Sequence, residues 1–266
     1  MTDTVKAEDI IEPIEDENDE IIFNDDELLG KYISHHPVNR LRLIIQAGVI
    51  YFILTSLLQL VFYELDNQLA SIVLIFLFAG IALGLSWYVM HLWNREIIIY
   101  ERGFNYREGS AIADFNYNEV VSFRQKAERL RYFGGLFRRN VYRFTVRTIR
   151  DEVMNATNLY TDIEKLGHNL EVGINSVLRN KVTRALQNGE EVSFGDGFKV
   201  SSAGIMADES LLAWDAFAGF GAKGGQLTIA STMDDTWYQI ALEDVDNLTL
   251  LFEVLRREAP QPSKTE

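Results

Sequence analysis

Two stretches decide most of what this chain can become. Residues 43–63 (LIIQAGVIYFILTSLLQLVFY) and 69–93 (LASIVLIFLFAGIALGLSWYVMHLW) contain no Asp, Glu, Lys or Arg over 21 and 25 positions. In a helix, about 20 apolar residues cross a hydrocarbon core of roughly 30 Å. Buried core helices are the soluble alternative, but uncharged runs of this length are rare in soluble folds, and a transmembrane pair is expected. A cleaved signal peptide is not expected, because a long acidic stretch precedes the first run where a short basic region belongs.

Only the five residues 64–68 (ELDNQ) separate the runs, so the two helices, at about 41–63 and 69–94, must form an antiparallel hairpin. Lys31, Arg40 and Arg42 precede it, Arg95, Arg102 and Arg107 follow it, and the connection has neither Lys nor Arg. The positive-inside rule then puts both termini in the cytosol of a cell membrane crossed twice. Phe62 and Tyr63 fall where an outer aromatic belt belongs, and Trp87, Tyr88 and Trp93 where an inner one does. Gly80 and Gly84 form a small-xxx-small pair at the depth of Gly48. These three glycines are the expected helix–helix packing residues, and homodimerisation through the same face is the sharper reading. No Asp, Glu, Lys or Arg lies deep in either helix, so the hairpin reads as an anchor and not as an ion pathway.

Charge elsewhere is uneven. Residues 1–30 hold twelve Asp/Glu and one Lys, a net of −11 out of −14 for the whole chain. Such a segment cannot bury enough apolar surface to offset its ordering entropy, so 1–30 is expected to be a disordered tail, with a short helical turn at 24–29 at most. A second disordered tail is expected at 259–266. The chain has no cysteine, which removes disulfides, thiolate chemistry and Cys-based metal sites.

After Arg95 the pattern changes to short alternating runs. Strands are expected at 97–100, 111–117, 119–124, 140–149 and 152–159. Thr161 and Glu164 then form a capping box that opens a helix running to about Gln187. The order recurs. Gly103-Phe104 and the 117–123 segment are echoed by Gly204-Ile205 and 214–220, Phe144 to Thr148 by Leu227 to Ser231, and Asp162 to Leu170 by Asp244 to Phe252 at an offset of 82. Three echoes in one order point to duplication. The expected division is a juxtamembrane segment and hairpin over 31–95, a first half over 96–188 and a second over 189–258. The fold class is α+β.

Strands followed by one closing helix is the order of the pleckstrin-homology-like fold. Here the chain resembles a family of uncharacterised, mostly bacterial membrane proteins with two transmembrane helices ahead of tandem pleckstrin-homology-like halves. The resemblance covers about 40–258. It rests on the helical hairpin, Tyr100-Glu101-Arg102-Gly103-Phe104, the aromatic-x-x-Val step from Tyr117 to Val120, and Phe194-Gly195 ahead of the second half. It implies a fold and a membrane address and brings no catalytic residue.

The most unusual composition lies at 124–150, with nine Lys/Arg against Glu128 alone. Arg124, Lys126, Arg129, Arg131, Arg138, Arg139, Arg143 and Arg147 are the candidate contact surface, with Tyr132, Phe133, Phe137, Tyr142 and Phe144 interleaved. Anionic lipid headgroups, a protein partner or the chain's own acidic tail could each meet it, and the wet face of a half-buried strand gives the same pattern. Pleckstrin-homology domains often present basic hairpins to phosphoinositides, so the resemblance leans toward lipid. Nucleic acid is not expected, because the rest of the soluble part is not basic.

Other motifs carry little. Gly219 to Gly224 matches G-x-G-x-x-G, but the strand-like Gln226 to Ala230 follows where a helix N-terminus would be needed to hold a pyrophosphate. The histidines lack a third ligand, acid pairs such as Asp234-Asp235 sit in turns, and no protease, kinase or nucleotide-binding signature is present. Asn155 and Asn247 head formal glycosylation acceptors that a cytosolic domain would leave bare. The expected function is therefore a non-catalytic, membrane-anchored binding protein without cofactor or metal. A membrane-bound enzyme and a structural envelope component are the alternatives.

Overall fold

Strand β1 (Tyr32–Pro37) precedes both long helices yet belongs to the sheet that follows them. Helix α1 (Arg40–Phe62) and helix α2 (Gln68–Trp93) come next, then β2 (Glu96–Tyr100), which pairs antiparallel with β1 from Tyr32↔Tyr100 to Pro37↔Glu96. The structure, a computed structural model, describes residues 25–63, 68–132 and 137–258, and at 68, 129–132 and 137–139 it describes the backbone. The expected disorder of residues 1–24 and 259–266 lies outside the described residues.

At about 1.5 Å per residue both helices are long enough to cross a membrane, and the rest of the protein buries none of their most apolar windows. Asn39 caps α1 by accepting the Arg42 N–H at 2.9 Å, and the Arg40 guanidinium stacks 5.2 Å over the Trp93 ring, joining the two helix ends. Within one copy of the chain the three glycines leave open space where a side chain would stand. A Cβ built on Gly48, Gly80 or Gly84 meets no atom within 4 Å. An apolar crevice of about 630 Å³ instead opens between the helices, lined by residues such as Ile44, Tyr51 and Trp93.

The first half is a meander of β1, β2, β3 (Gly103–Glu108) and β4 (Ala111–Asn116), then a second meander of β5 (Val120–Tyr132), β6 (Phe137–Thr148) and β7 (Val153–Thr157), then helix α3 (Ile163–Gln187). The second half has β8 (Val192–Ser193), β9 (Phe198–Ser201), β10 (Gly204–Ala207) and β11 (Ser210–Ala213), then β12 (Phe217–Lys223), β13 (Gln226–Ser231) and β14 (Tyr238–Ala241), and helix α4 (Leu248–Glu258). A single 3-10 turn separates the two meanders in each half, at Tyr117–Glu119 and Trp214–Ala216.

Local bonds match across the halves. Thr161 N–H donates to Pro37 C=O at 2.9 Å, and Asp246 N–H to Phe194 C=O at 2.8 Å. Val38 bridges Tyr160 as Gly195 bridges Val245. The two long apolar helices therefore stand where the second half has the tight turn Gly195-Asp196-Gly197. The sequence division began the first half at residue 96, but its edge strand is 32–37. The echo at the closing helices also shifts, since Ile163 opens α3 and Leu248 opens α4, an offset of 85 and not 82. Amphipathic helices repeat at three- and four-residue steps, so a slip of three leaves their apolar pattern almost intact.

One continuous core fills both halves, with Phe104, Tyr117, Phe123, Leu166 and Leu170 in the first and Phe198, Phe217, Leu251 and Leu255 in the second. Gly103 and Gly204 permit a close strand crossing in each, because a Cβ there would stand 2.2 Å from Phe115 O and 2.1 Å from Leu212 O. Leu29, expected in the tail, is buried beside Gly103, with its carbonyl accepting the Arg102 N–H at 2.8 Å. Asp26 forms the turn behind it, accepting the Leu28 and Leu29 N–H groups at 2.8 and 2.7 Å.

Candidate functional site

The β5–β6 hairpin is far longer than its neighbour. Its register runs unbroken from Ser122↔Arg147 to Tyr132↔Phe137, while β7 pairs only with Arg143–Arg147 of β6. Beyond Arg143 the hairpin therefore overhangs the sheet. Strand residues alternate between faces, and here the faces differ in chemistry. Phe123, Phe144 and Val146 turn inward and are buried, whereas Arg124, Lys126, Arg143 and Arg147 lie on the other face.

These four basic residues do not behave alike. Arg124 is clamped by Asp246, Nε to Oδ1 at 2.6 Å and Nη2 to Oδ2 at 3.4 Å, and this bond pushes the guanidinium pKa upward. Lys126 lies 2.8 Å from Glu128 and 2.5 Å from Glu243, whose hydrogen bonds likewise raise its pKa. Both are thus largely neutralised, Arg124 by the second half alone and Lys126 with help from Glu128 on its own strand. Arg143 and Arg147 remain exposed. The side chains of Arg129, Arg131, Arg138 and Arg139 lie outside the described residues, but the backbone register sets Arg131 opposite Arg138 at the hairpin's far end.

Asn158 fixes where that overhang sits. Its carbonyl accepts from Arg42 Nη1 at 2.7 Å, in the first turn of α1. Its side chain accepts the Tyr142 N–H at 2.6 Å and donates to Asn140 C=O at 3.2 Å. The base of the helical pair and the middle of the overhang thus meet through one residue. A parallel tie runs from Asn39 N–H to Leu159 C=O at 2.9 Å.

The inner face of the hairpin opens on a groove of about 1010 Å³ between the halves. Tyr142 and Phe144 lie on its β6 side, Glu164 and Glu171 stand on α3, and the Gly224-Gly225 turn faces them. Asn247 lies just ahead of Leu248, which lines the groove. It is buried at φ +51°, accepts the Phe123 N–H at 3.0 Å, donates to Val121 C=O at 3.2 Å and gives its own N–H to Phe123 C=O at 2.9 Å. Sequence reasoning met Asn247 only as a glycosylation acceptor. An Asn directly ahead of an apolar helix was the available signal, since Asn tolerates the left-handed conformation.

A second polar cluster lies at the helix base. His35 of β1 lies beside Glu96, Nε2 2.8 Å from Oε2, while Ser34 and His36 turn to the other, buried face. The His35–Glu96 hydrogen bond, opposed by burial and helped by Arg107, holds the Glu96 carboxyl below its ordinary range. His36 is buried, Nδ1 3.1 Å from Thr161 O and Nε2 3.0 Å from Ser34 Oγ, and desolvation lowers its pKa. Among the described residues no group of three His, Asp or Glu side chains could hold a metal ion.

The curated proteins offer no match to this chain. A family model does match, across residues 20–263, so that the two apolar helices, both sheet-rich halves and both closing helices all fall inside it. The chain therefore belongs to the DUF6585 family, a family of unknown function.

Proposed function

We propose that this protein is a membrane-anchored, non-catalytic binding protein. Its α1–α2 hairpin crosses the bilayer, both termini lie in the cytosol, and its two halves are duplicated pleckstrin-homology-like units. In this reading the β5–β6 hairpin contacts anionic lipid headgroups. Two meanders and a closing helix in each half, in the same order, support the duplication and the fold type.

The Asn158 tie carries the lipid reading. It holds Asn140 beside the first turn of α1, where a spanning helix meets the headgroups. Three residues of β6 lie beyond it, about 10 Å at roughly 3.4 Å per residue, and they include Arg138 and Arg139. Charges that close to an anionic surface lie within a Debye length of about 8 Å or little more. Each then contributes about 1 kcal/mol.

The test uses the full chain in nanodiscs, of neutral phospholipid alone or mixed with anionic phospholipid, and follows amide exchange across 126–142. Protection that appears only with anionic lipid, and fades with salt or with Arg138→Glu/Arg139→Glu, is the expected result. Equal exchange in the two lipid compositions would overturn the assignment.

A further inference from the structure

We propose that the open edge of β12 is a dimer interface, where two copies of the chain pair β12 antiparallel with β12 and join their sheets. This contact lies in the second half and is independent of the lipid assignment for the β5–β6 hairpin.

The duplication shows what this edge lacks. β5 and β12 each stand first in a three-stranded sheet, and each follows a 3-10 turn. Their registers match position for position. An irregularity falls between Val120 and Ser122 and between Phe217 and Gly219, and then Phe123 faces Val146 as Phe220 faces Ile229. The bond from Ile149 N–H to Glu119 C=O at 2.8 Å recurs from Thr232 N–H to Ala216 C=O at 2.9 Å. Phe123 turns its N–H and C=O away from β6, to Asn247, so Phe220 turns the same groups away from β13. Strand geometry repeats every two residues, and Ala222 does likewise.

In the first half the edge is covered. Asn247 sits at Phe123, and the Leu242–Asp244 turn follows along β5, with Glu243 reaching Lys126 at 2.5 Å. The strand that leads into this turn, β14, is one edge of its sheet, and β12 is the other. Among the described residues β13 is the only strand beside β12, and nothing bonds the outward groups of Phe220 and Ala222. Ala218, Gly221, Ala222 and Lys223 are exposed. An edge of this kind is a template for another strand unless charge, a bulge or a covering element blunts it. Here the irregularity and Lys223 fall at the two ends and leave Phe220–Ala222 flat.

Composition selects the occupant. β12 (FAGFGAK) carries a single charge, and a Cβ at Gly219 or Gly221 would meet nothing within 4 Å. The edge thus offers no charge pattern for a partner to read and admits, at close range, a strand with equally small side chains. β12 is itself such a strand. With a two-fold axis at Gly221, each Phe220 faces Ala222 of the other copy, and both pairs exchange N–H and C=O bonds. Gly221 then meets its own mate at the narrow spacing of about 4.5 Å between Cα atoms, where side chains would crowd most. Lys223 falls opposite Gly219, about 14 Å from the other Lys223, so like charges do not meet. On the inner face Phe220, half-buried and 5.3 Å from the Phe252 ring, gains the exposed Ala222 of the other copy as cover. A closed two-fold contact is the commonest form of self-association.

The chain has no cysteine, so single substitutions report the pairing directly. The full chain is used in detergent micelles, which leave each copy free to orient. Gly221→Cys should close an intermolecular disulfide under mild oxidation, because Cα atoms about 4.5 Å apart lie within the roughly 4.4–6.8 Å that a disulfide spans. Lys223→Cys, likewise exposed, should cross-link about tenfold or more slowly. The wild-type chain should sediment as a dimer. Ala222→Pro should shift it to monomer with an unchanged far-UV spectrum, since proline there removes an outward N–H and no bond to β13. Exchange of the Phe220 and Ala222 amides should slow as protein concentration rises. Equal cross-linking at the two positions, or a chain monomeric at every concentration, would overturn the proposal. A dimer indifferent to Ala222→Pro would overturn it as well, and would place self-association elsewhere, as on the helical pair.

Discussion

Replacing Asn247 by alanine should loosen the joint between the two halves. Truncation leaves the Phe123 N–H and Val121 C=O without their partners at 3.0 and 3.2 Å. The Phe123 N–H is buried and costs about 1–3 kcal/mol when so orphaned, whereas Val121 is exposed and its carbonyl can turn to water. Asn247 also sits at φ +51°, where a non-glycine residue without a short polar side chain costs a further 1–2 kcal/mol or so. The backbone bond to Phe123 C=O survives, so the total is about 2–5 kcal/mol, beyond the ~1 kcal/mol typical of a point mutation. For a soluble body of this size each kcal/mol moves Tm by about 2–4 °C, which makes the expected fall on the order of 10 °C. Thermal unfolding of the full chain in micelles, followed by tryptophan fluorescence, measures it. Asn247→Asp keeps the acceptor and should lose less, while Asn247→Gly relieves only the backbone strain and should stay well below wild type. A Tm within a degree or two of wild type for the alanine variant, or full recovery with glycine, would refute the account of this joint.

Gly167→Ala and Gly173→Ala should destabilise, although Gly→Ala inside a helix ordinarily gains about 1 kcal/mol. The new Cβ would stand 2.1 Å from Phe144 Cζ and 2.4 Å from the Tyr117 ring, and overpacking of this kind costs about 1–3 kcal/mol, readable by urea titration. Stability should fall as pH drops. His36 has a folded pKa lowered from 6.5, so the unfolded chain takes the proton first and the loss begins as pH falls through 6.5. Glu96, lowered from 4.5, adds a second loss as pH falls below 4.5; Tm measured from pH 8 down to about 2.5 should show both steps, and His36→Gln should remove the upper one. A soluble variant that joins residues 25–38 to 96–258 through Gly-Asp-Gly should fold as a monomer, whereas 96–258 alone should aggregate, a contrast that size-exclusion chromatography reports.

The two long helices were legible because freedom from charge over more than 20 residues is seldom met outside a membrane span. Strand β1 was not. Six residues containing two histidines and a proline look like a linker, and they become a strand only because the helical pair returns the chain beside them. The basic stretch was plain as composition, but its partition was hidden, since Asp246 and Glu243 lie more than a hundred residues from the Arg124 and Lys126 that they neutralise. Gly48, Gly80 and Gly84 spelled a packing motif, yet within one copy of the chain a Cβ at each would meet nothing within 4 Å. Spacing reports which residues share a stripe but not which way the stripe turns.

Because the two helices interrupt a β-hairpin, biogenesis has an order built into it. On the spanning reading proposed above, β1 leaves the ribosome before either helix and waits through both for its neighbour. Its closing bond, from Val38 N–H to Arg95 C=O at 3.1 Å, can form only after translocation machinery has seated the pair and brought their cytosolic ends together. A nascent chain that fails this step keeps an orphan strand and an open sheet, which marks it for quality control. Correct insertion is thereby a checkpoint for the maturation of everything downstream.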